Sequence, residues 1–346
     1  MADVVTFGEI MMRLATPGFQ RFAQTPFLEL TYGGGEANVA VSLVNYGLSA
    51  DFVTRLPKND MAQRAINELR GLGVGVGGIA RGGERIGIYF LEAGASQRAS
   101  KVTYDRAHSA ISEIKPGEVD WDALFAGSHP KARWFHWTGI TPALSASAAA
   151  AVEEACQSAK KHGVTVSVDL NYRKKLWSKE TAGKVMAGLM RYVDLCIANE
   201  EDAESVFGIK GAEVTSGKID HGQYERVAAE LVSRFGFKKV AITLRESISA
   251  SRNGWSAMLY DASAGPASAF YSKKYDMTIV DRVGGGDSFA GGLIFATLRG
   301  DVPPRAIEFA VAASCLKHSV SGDYNRVTLE EVEALAKGDA SGRVQR

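Results

Sequence analysis

The stretch Asp281-Arg282-Val283-Gly284-Gly285-Gly286-Asp287-Ser288-Phe289 decides how this chain is read. Three consecutive glycines end in an aspartate, and a small, apolar helical pattern runs on at once through Ala296. Glycines let a backbone turn sharply and approach a ligand closely. A helix starting there offers unbonded N–H groups and the positive end of its dipole, a site for phosphate or another anion. Inside such a site Asp287 reads as a base beside a phosphate rather than as the bound anion. A structural loop that merely caps a helix explains these few residues as well, so their surroundings must decide.

Working outward, 346 residues suffice for one large α/β domain, or for a main domain with a smaller appendage. Apolar residues make up 46% and charged residues 23%, the balance of an ordinary globular protein. A formal net charge of +1 provides no field to recruit nucleic acid or an anionic membrane, so the expected partner is a small molecule. Cys156, Cys196 and Cys315 lie far apart, which fits core use in a reducing compartment rather than a disulfide framework. The six histidines show no metal-binding spacing. No apolar run approaches the ~18 residues of a membrane span, and no basic region precedes the strand-like start at 4–8. A cytoplasmic location is expected.

Apolar, β-rich runs at 4–8, 51–55, 134–138, 164–170, 195–198 and 239–244 alternate with helical patterns at 36–46, 60–72, 145–162, 179–192 and 224–235. Short, doubly apolar strands separated by helices predict an α/β fold, a mostly parallel sheet covered on both faces. Asn199, followed by Glu200, Glu201 and Asp202, reads as a helix cap with acidic residues at the positive helix end. Thr328 and Glu331 read as a capping box. Two stretches, 12–32 and 85–106, alternate like strands and lack a helix pattern. The economical arrangement pairs them as a small β lid over an α/β domain built from 1–11, 33–84 and 107–337; two unrelated surface hairpins are the other reading. The tail, 338–346, is polar and is expected to fray.

The chain has no P-loop, no dinucleotide fingerprint and no protein-kinase signature set. An NAD-linked dehydrogenase is disfavoured accordingly. Two further clusters stand out. Gly33-Gly34-Gly35 opens a helix carrying Asn38, where a ligand's hydroxyls would find a partner; a tight turn explains the same glycines. Asp169-Leu170-Asn171-Tyr172-Arg173 leads a buried strand into a polar loop, whose Asp and Asn also suit plain turn chemistry. The Arg173 guanidinium matches the geometry of a carboxylate or phosphate.

Together these pieces resemble the ribokinase-like family of carbohydrate kinases over nearly the whole chain. The similarity rests on Gly33, Gly34 and Asn38, on the run from Asp169 to Arg173, on Asn199 through Asp202, and on Asp281 through Asp287. The resemblance implies a Rossmann-like domain with a β lid, and ATP-dependent phosphorylation of a sugar hydroxyl with Mg²⁺. A monovalent-cation requirement stays open. Asp287 is implied as the base, with Gly284, Gly285 and Gly286 cradling the transferred phosphate. Asn171, Asn199, Arg245, Arg282, Gly284 and Gly286 are implied at the nucleotide, and Asn199 with Asp202 at the metal.

Within the family, Gly34, Tyr89, Tyr104, Arg106, Arg173 and Asp323 resemble the branch acting on a keto-deoxy sugar acid. The expected reaction phosphorylates the primary hydroxyl of 2-keto-3-deoxygluconate. Arg106 and Arg173 would neutralise the carboxylate that neutral hexoses lack, with Gly34, Asn38, Tyr89, Tyr104 and Asp323 around the sugar. The alternatives are a fructokinase-like neutral-sugar kinase and a non-catalytic sugar or nucleotide sensor. Homo-oligomers through the lid edge are expected.

The chain departs from the family pattern in four places. Arg282 and Gly285 stand where threonine and alanine are usual, and Asp202 replaces a glutamate. The run Thr243-Leu244-Arg245-Glu246-Ser247-Ile248-Ser249 replaces a glycine-bearing nucleotide loop, which puts the nucleotide preference in question.

Overall fold

Runs of β-branched and aromatic residues build the strands, and apolar residues spaced three and four apart build the helices between them. A computed structural model describes residues 2–126, 131–199, 201–211, 221–265 and 268–339. Glu200 and residues 340–346 of the tail lie outside the described residues. From the N-terminus, β1 (Val4–Phe7), β2 (Met11–Ala15) and β3 (Glu29–Gly33) precede α1 (Gly35–Asn45). Next come β4 (Ala50–Val53), β5 (Arg55–Leu56), α2 (Asp60–Gly71), β6 (Ala80–Arg81), β7 (Gly87–Glu92) and β8 (Lys101–Asp105). The middle holds α3 (Trp121–Ala126), β9 (Trp134–Thr138), α4 (Ile140–Leu144), α5 (Ala146–Lys161), β10 (Thr165–Asp169), α6 (Lys179–Met190), β11 (Leu195–Asn199) and α7 (Asp202–Phe207). Then follow α8 (His221–Phe235), β12 (Lys239–Ser247), β13 (Arg252–Asp261), β14 (Ala269–Tyr271) and β15 (Tyr275–Thr278). Three helices close the described chain: α9 (Gly285–Arg299), α10 (Pro303–Lys317) and α11 (Leu329–Lys337).

The main sheet runs β14-β13-β12-β11-β10-β9-β1-β4, with β15 also paired to β13. Its strands from β12 to β4 are parallel, as expected for apolar strands joined by helices. One core lies between the sheet and α1, α2, α9 and α10, the other between the sheet and α5, α6 and α8. On α5, Ala148, Ala151, Val152, Ala155, Cys156 and Ala159 form one buried stripe, and the Ser145 side chain caps its start by accepting from Ala148 N–H. The capping box at Thr328 and Glu331 forms at α11. Residues 288–296 of α9 are buried on every side, the reason that stretch is apolar all round. Each large side chain buried this way contributes about 1.5–3 kcal/mol.

A second sheet, β3-β2-β7-β8, joins the two stretches that break the helical rhythm. Its seam is the parallel pair β2–β7, which sets Met11 opposite Gly87 and Arg13 opposite Tyr89. The outermost residues of β2 and β3, Met11 and Gly33, each lie one residue beyond the stretch read from sequence.

The antiparallel side of the main sheet differs from the sequence reading. The strand expected at 239–244 continues to Ser247 and turns back as β13. Residues 243–247, expected within a nucleotide loop, are therefore strand, with Arg245 opposite Trp255. β13 hides in sequence because its buried positions run continuously and include Gly254, Ser256 and Ala257, residues without strong strand preference.

Candidate active site

The first turn of α9 sits at the floor of a cavity of about 360 Å³ at the ends of the parallel strands, between the two sheets. Gly284 precedes the helix at φ +84°, and a Cβ there would lie 2.0 Å from the Asp323 carbonyl oxygen, so only glycine fits. No side chain caps this helix start. The Gly285 N–H turns back to the Arg282 carbonyl at 3.3 Å, which leaves the N–H groups of Gly286 and Asp287 as the donors lining the cavity.

Asp287 is half-buried at this floor, and its Oδ2 accepts from Asn38 Nδ2 at 2.6 Å. Burial pushes its pKa up to about 6; the Asn38 bond opposes the rise and the Asp323 charge adds to it. A carboxylate titrating near neutrality is suited to take a proton. Asn38 is itself held, since its Oδ1 accepts from Gly34 N–H at 3.3 Å. Gly34 passes so close to the segment between β1 and β2 that a Cβ would lie 1.9 Å from the Glu9 carbonyl oxygen. Beside Asn38, buried Glu36 accepts from Thr138 N–H at 3.0 Å and Thr141 Oγ1 at 3.2 Å, pinning α1 to the β9–α4 junction. Burial raises the Glu36 pKa to about 7.

Behind the loop lies a buried ionic network. Arg13 donates to Asp323 Oδ1 at 2.6 Å and to Asp281 Oδ2 at 2.5 Å, and Tyr89 donates its hydroxyl to Asp323 at 2.6 Å. Asp281 also accepts from Val283 N–H at 3.0 Å and Gly322 N–H at 3.1 Å. The carboxylates lift the Arg13 pKa despite burial. Sequence reasoning passed over Arg13. The available signal was the alternation of β2, where Met11, Arg13 and Ala15 share the buried face and an arginine there requires a carboxylate partner.

Every site residue predicted from sequence lines this one cavity, but several have commitments that sequence did not reveal. Arg106, expected to be free for a substrate carboxylate, is buried and paired with Glu9, to which its Nε donates at 2.8 Å. Its guanidinium also stacks 5.0 Å from the centre of the Tyr104 ring. Asp202 accepts the N–H groups of Tyr172 at 3.1 Å and Asn199 at 3.3 Å. The Asn199 Oδ1 accepts the N–H groups of Glu201 and Asp202 at the start of α7. Asn171 adopts φ +40°, and its N–H donates to Asp169 Oδ1 at 3.2 Å. Arg282 Nη2 donates to the Ala250 carbonyl at 3.0 Å.

Arg173 and Arg245 are exposed and make no ion pair among the described residues. Burial, and then the neighbouring charge of Arg245, lower the Arg282 pKa, so two cations share one wall of the cavity. Tyr104, Arg106 and Arg173 also border an adjoining cleft of about 1010 Å³. Asp169 is shifted upward by burial and then by the Asp202 and Asp287 charges, and Asp202 is likewise raised by burial. Among the described residues no group of three His, Cys, Asp or Glu forms a ready metal cage.

An open helix start beside a poised carboxylate is what phosphoryl transfer to a hydroxyl requires, and the class so defined is a small-molecule kinase. The model of the pfkB family of carbohydrate kinases matches residues 1–329, and the chain belongs to that family. A solved structure of 2-dehydro-3-deoxygluconokinase from Thermotoga maritima superposes with a TM-score of 0.92 at 51% identity, covering 98% of this chain and all of that one. The 2-dehydro-3-deoxygalactonokinase of Haloferax volcanii is 32% identical over 99% of this chain and 98% of its own length. The 2-dehydro-3-deoxygluconokinase of Thermoproteus tenax is 28% identical over 97% and 95%. No helix among the described residues is long and apolar enough to cross a membrane.

Proposed function

We propose that this kinase uses ATP to phosphorylate the primary hydroxyl of a 2-keto-3-deoxy sugar acid, 2-keto-3-deoxygluconate or its galactonate epimer. The observation that carries the substrate class is Arg173, an exposed cation without an ion pair on the cavity that holds Asp287, its charge partly offsetting the upward shifts of Asp287, Asp169 and Asp202. A neutral sugar has no charge for it to meet; a carboxylate does. Arg106, neutralised by Glu9, serves instead to hold Tyr104 beside the sugar. The names of the relatives supply the keto-deoxy acid in particular.

In this reading Asp287 accepts the proton of the hydroxyl whose oxygen attacks the γ-phosphorus. The new O–P bond forms as the bond to the β–γ bridging oxygen breaks, and ADP leaves. The N–H groups of Gly286 and Asp287 stabilise charge on the transferring group. Arg245 and Arg282 meet the polyphosphate. Magnesium, when bound, neutralises phosphate charge. Asp169 and Asp202 would hold such an ion, since burial raises the pKa of both, the Arg173 charge offsets this only in part, and Mg²⁺ needs only one or two protein carboxylates.

The second sheet acts as the lid that excludes water from the transfer. Phe19 and Phe27 beside it are 52% and 61% exposed, which favours a second copy of the chain against this face. Unpaired Cys156, Cys196 and Cys315 fit a cytoplasmic enzyme. The deciding experiment is a coupled ADP-release assay with both keto-deoxy epimers and fructose. We expect at least one acid to exceed fructose in kcat/KM by about 10- to 100-fold, the range of a charge-assisted contact; a faster reaction with fructose overturns the substrate assignment.

A further inference from the structure

Lys317 ends α10, yet its side chain does not reach solvent; the residue is 0% exposed. A basic residue in the last helical turn ordinarily interacts with the helix dipole while its head stays in water. Here the ammonium passes beyond its own helix. Nζ donates to the carbonyl of Asp281 at 3.2 Å and to that of Val320 at 3.3 Å. It makes no ion pair among the described residues, so its direct partners are main-chain oxygens. Its Cε lies 3.3 Å from where a Cβ on Gly284 would stand, directly behind the start of the phosphate loop.

The two carbonyls belong to two segments that together form the site. Asp281 opens the run into Gly284 and α9, whereas Val320 lies in the turn that leads to Asp323. Carbonyl oxygens converging in a buried place repel one another unless a cation or donor sits between them. Burial lowers the Lys317 pKa and the Arg13 charge adds to the lowering, while the carboxylates of Asp281, Asp323 and Asp287 oppose it. Lys317 and Arg13 thus stand as two bases among three acids around one loop.

We propose that Lys317 is a built-in monovalent cation: its ammonium ties the phosphate loop to the Asp323 turn, and turnover therefore needs no added potassium or sodium. Lys317 is a positioning residue, since nothing places it against substrate. The proposal rests on phosphoryl transfer at the α9 start and not on which sugar acid is used.

The test compares wild type, Lys317→Ala and Lys317→Met in chloride salts of potassium, ammonium and tetramethylammonium at constant ionic strength. Wild-type kcat is expected to be the same in all three. Lys317→Ala opens a space of ammonium size; its kcat should fall about 10- to 100-fold in tetramethylammonium, the cost of a slightly misplaced loop. Ammonium or potassium should then restore it. Lys317→Met fills the space with a neutral chain and should lose turnover without rescue. Melting temperatures in the same salts need no substrate, so an incorrect sugar leaves this readout intact; ammonium should raise that of Lys317→Ala and leave wild type unmoved. A wild-type requirement for potassium overturns the proposal even if neither variant folds. So does wild-type turnover in Lys317→Ala, or an alanine variant whose rate and melting ignore ammonium.

Discussion

At the α9 end of the cavity the charged groups are already engaged with one another: Arg13 with Asp281 and Asp323, and Asp287 with Asn38. Elsewhere around the cavity, Arg173 and Arg245 stand exposed without an ion pair among the described residues, although the Arg173 charge reaches Asp287, Asp169 and Asp202. Lys174 and Lys175 extend that cationic character into the adjoining cleft. The first region has its electrostatics complete before any ligand arrives, and so costs little reorganisation during the chemical step. The second makes no ion pair of its own, and a ligand's carboxylate or phosphate would be its direct partner. Mutations in the two regions should therefore fail differently, the first in rate or folding and the second in affinity.

The largest expected effect is at Asp287. Asp287→Asn keeps the shape and the Asn38 neighbour but removes the proton acceptor, and kcat should fall by about 10²- to 10⁴-fold. Nucleotide binding by calorimetry should persist, because the N–H donors of Gly286 and Asp287 remain. An unchanged rate would remove the base from the mechanism and reduce the loop to a helix start.

Paired arginine substitutions probe the contrast most directly. Arg13→Met leaves Asp281 and Asp323 buried without their cation, a loss of about 3–5 kcal/mol in chemical denaturation. Arg173→Ala should leave stability within about 0.5 kcal/mol, as exposed side chains do. It should instead raise KM for the sugar acid about 10- to 100-fold, the value of one charge-assisted contact. Equal stability losses in both variants would show that the two regions are built alike.

Much of this arrangement was readable from the chain. The parallel α/β sheet followed from doubly apolar strands between helices, and strand 134–138 has the bounds its residues suggested. The glycines around Gly34 and Gly284 marked the close approaches because no side chain fits there. What stayed hidden depended on pairing across long sequence separations. Glu9 meets Arg106 across 97 positions and Arg13 meets Asp323 across 310, and neither has a local signature. β13 was hidden for a related reason: its burial comes from β12, β14, β15 and α10 rather than from its own alternation. Lys317 has no sequence signature beyond its place in the last turn of α10, because the carbonyls it meets lie beyond that helix.

The smallest effect lies in the pH profile of the engaged end. kcat/KM reports the free enzyme, in which the Asp287 pKa is about 6. A base acts as the carboxylate, so activity should be lost as pH falls through that value. Asn38 donates to the carboxylate and thereby stabilises the charged form. Asn38→Ala removes that donor, which raises the Asp287 pKa and moves the acid limb to higher pH by about one unit, the scale of a hydrogen bond to a charged group. Asn38→Asp would push the limb higher still, through a like charge at the same contact. An acid limb indifferent to both changes would mean that the titrating group is not Asp287. The neighbouring buried carboxyl at Glu36, whose pKa is about 7, would then be the group to mutate next.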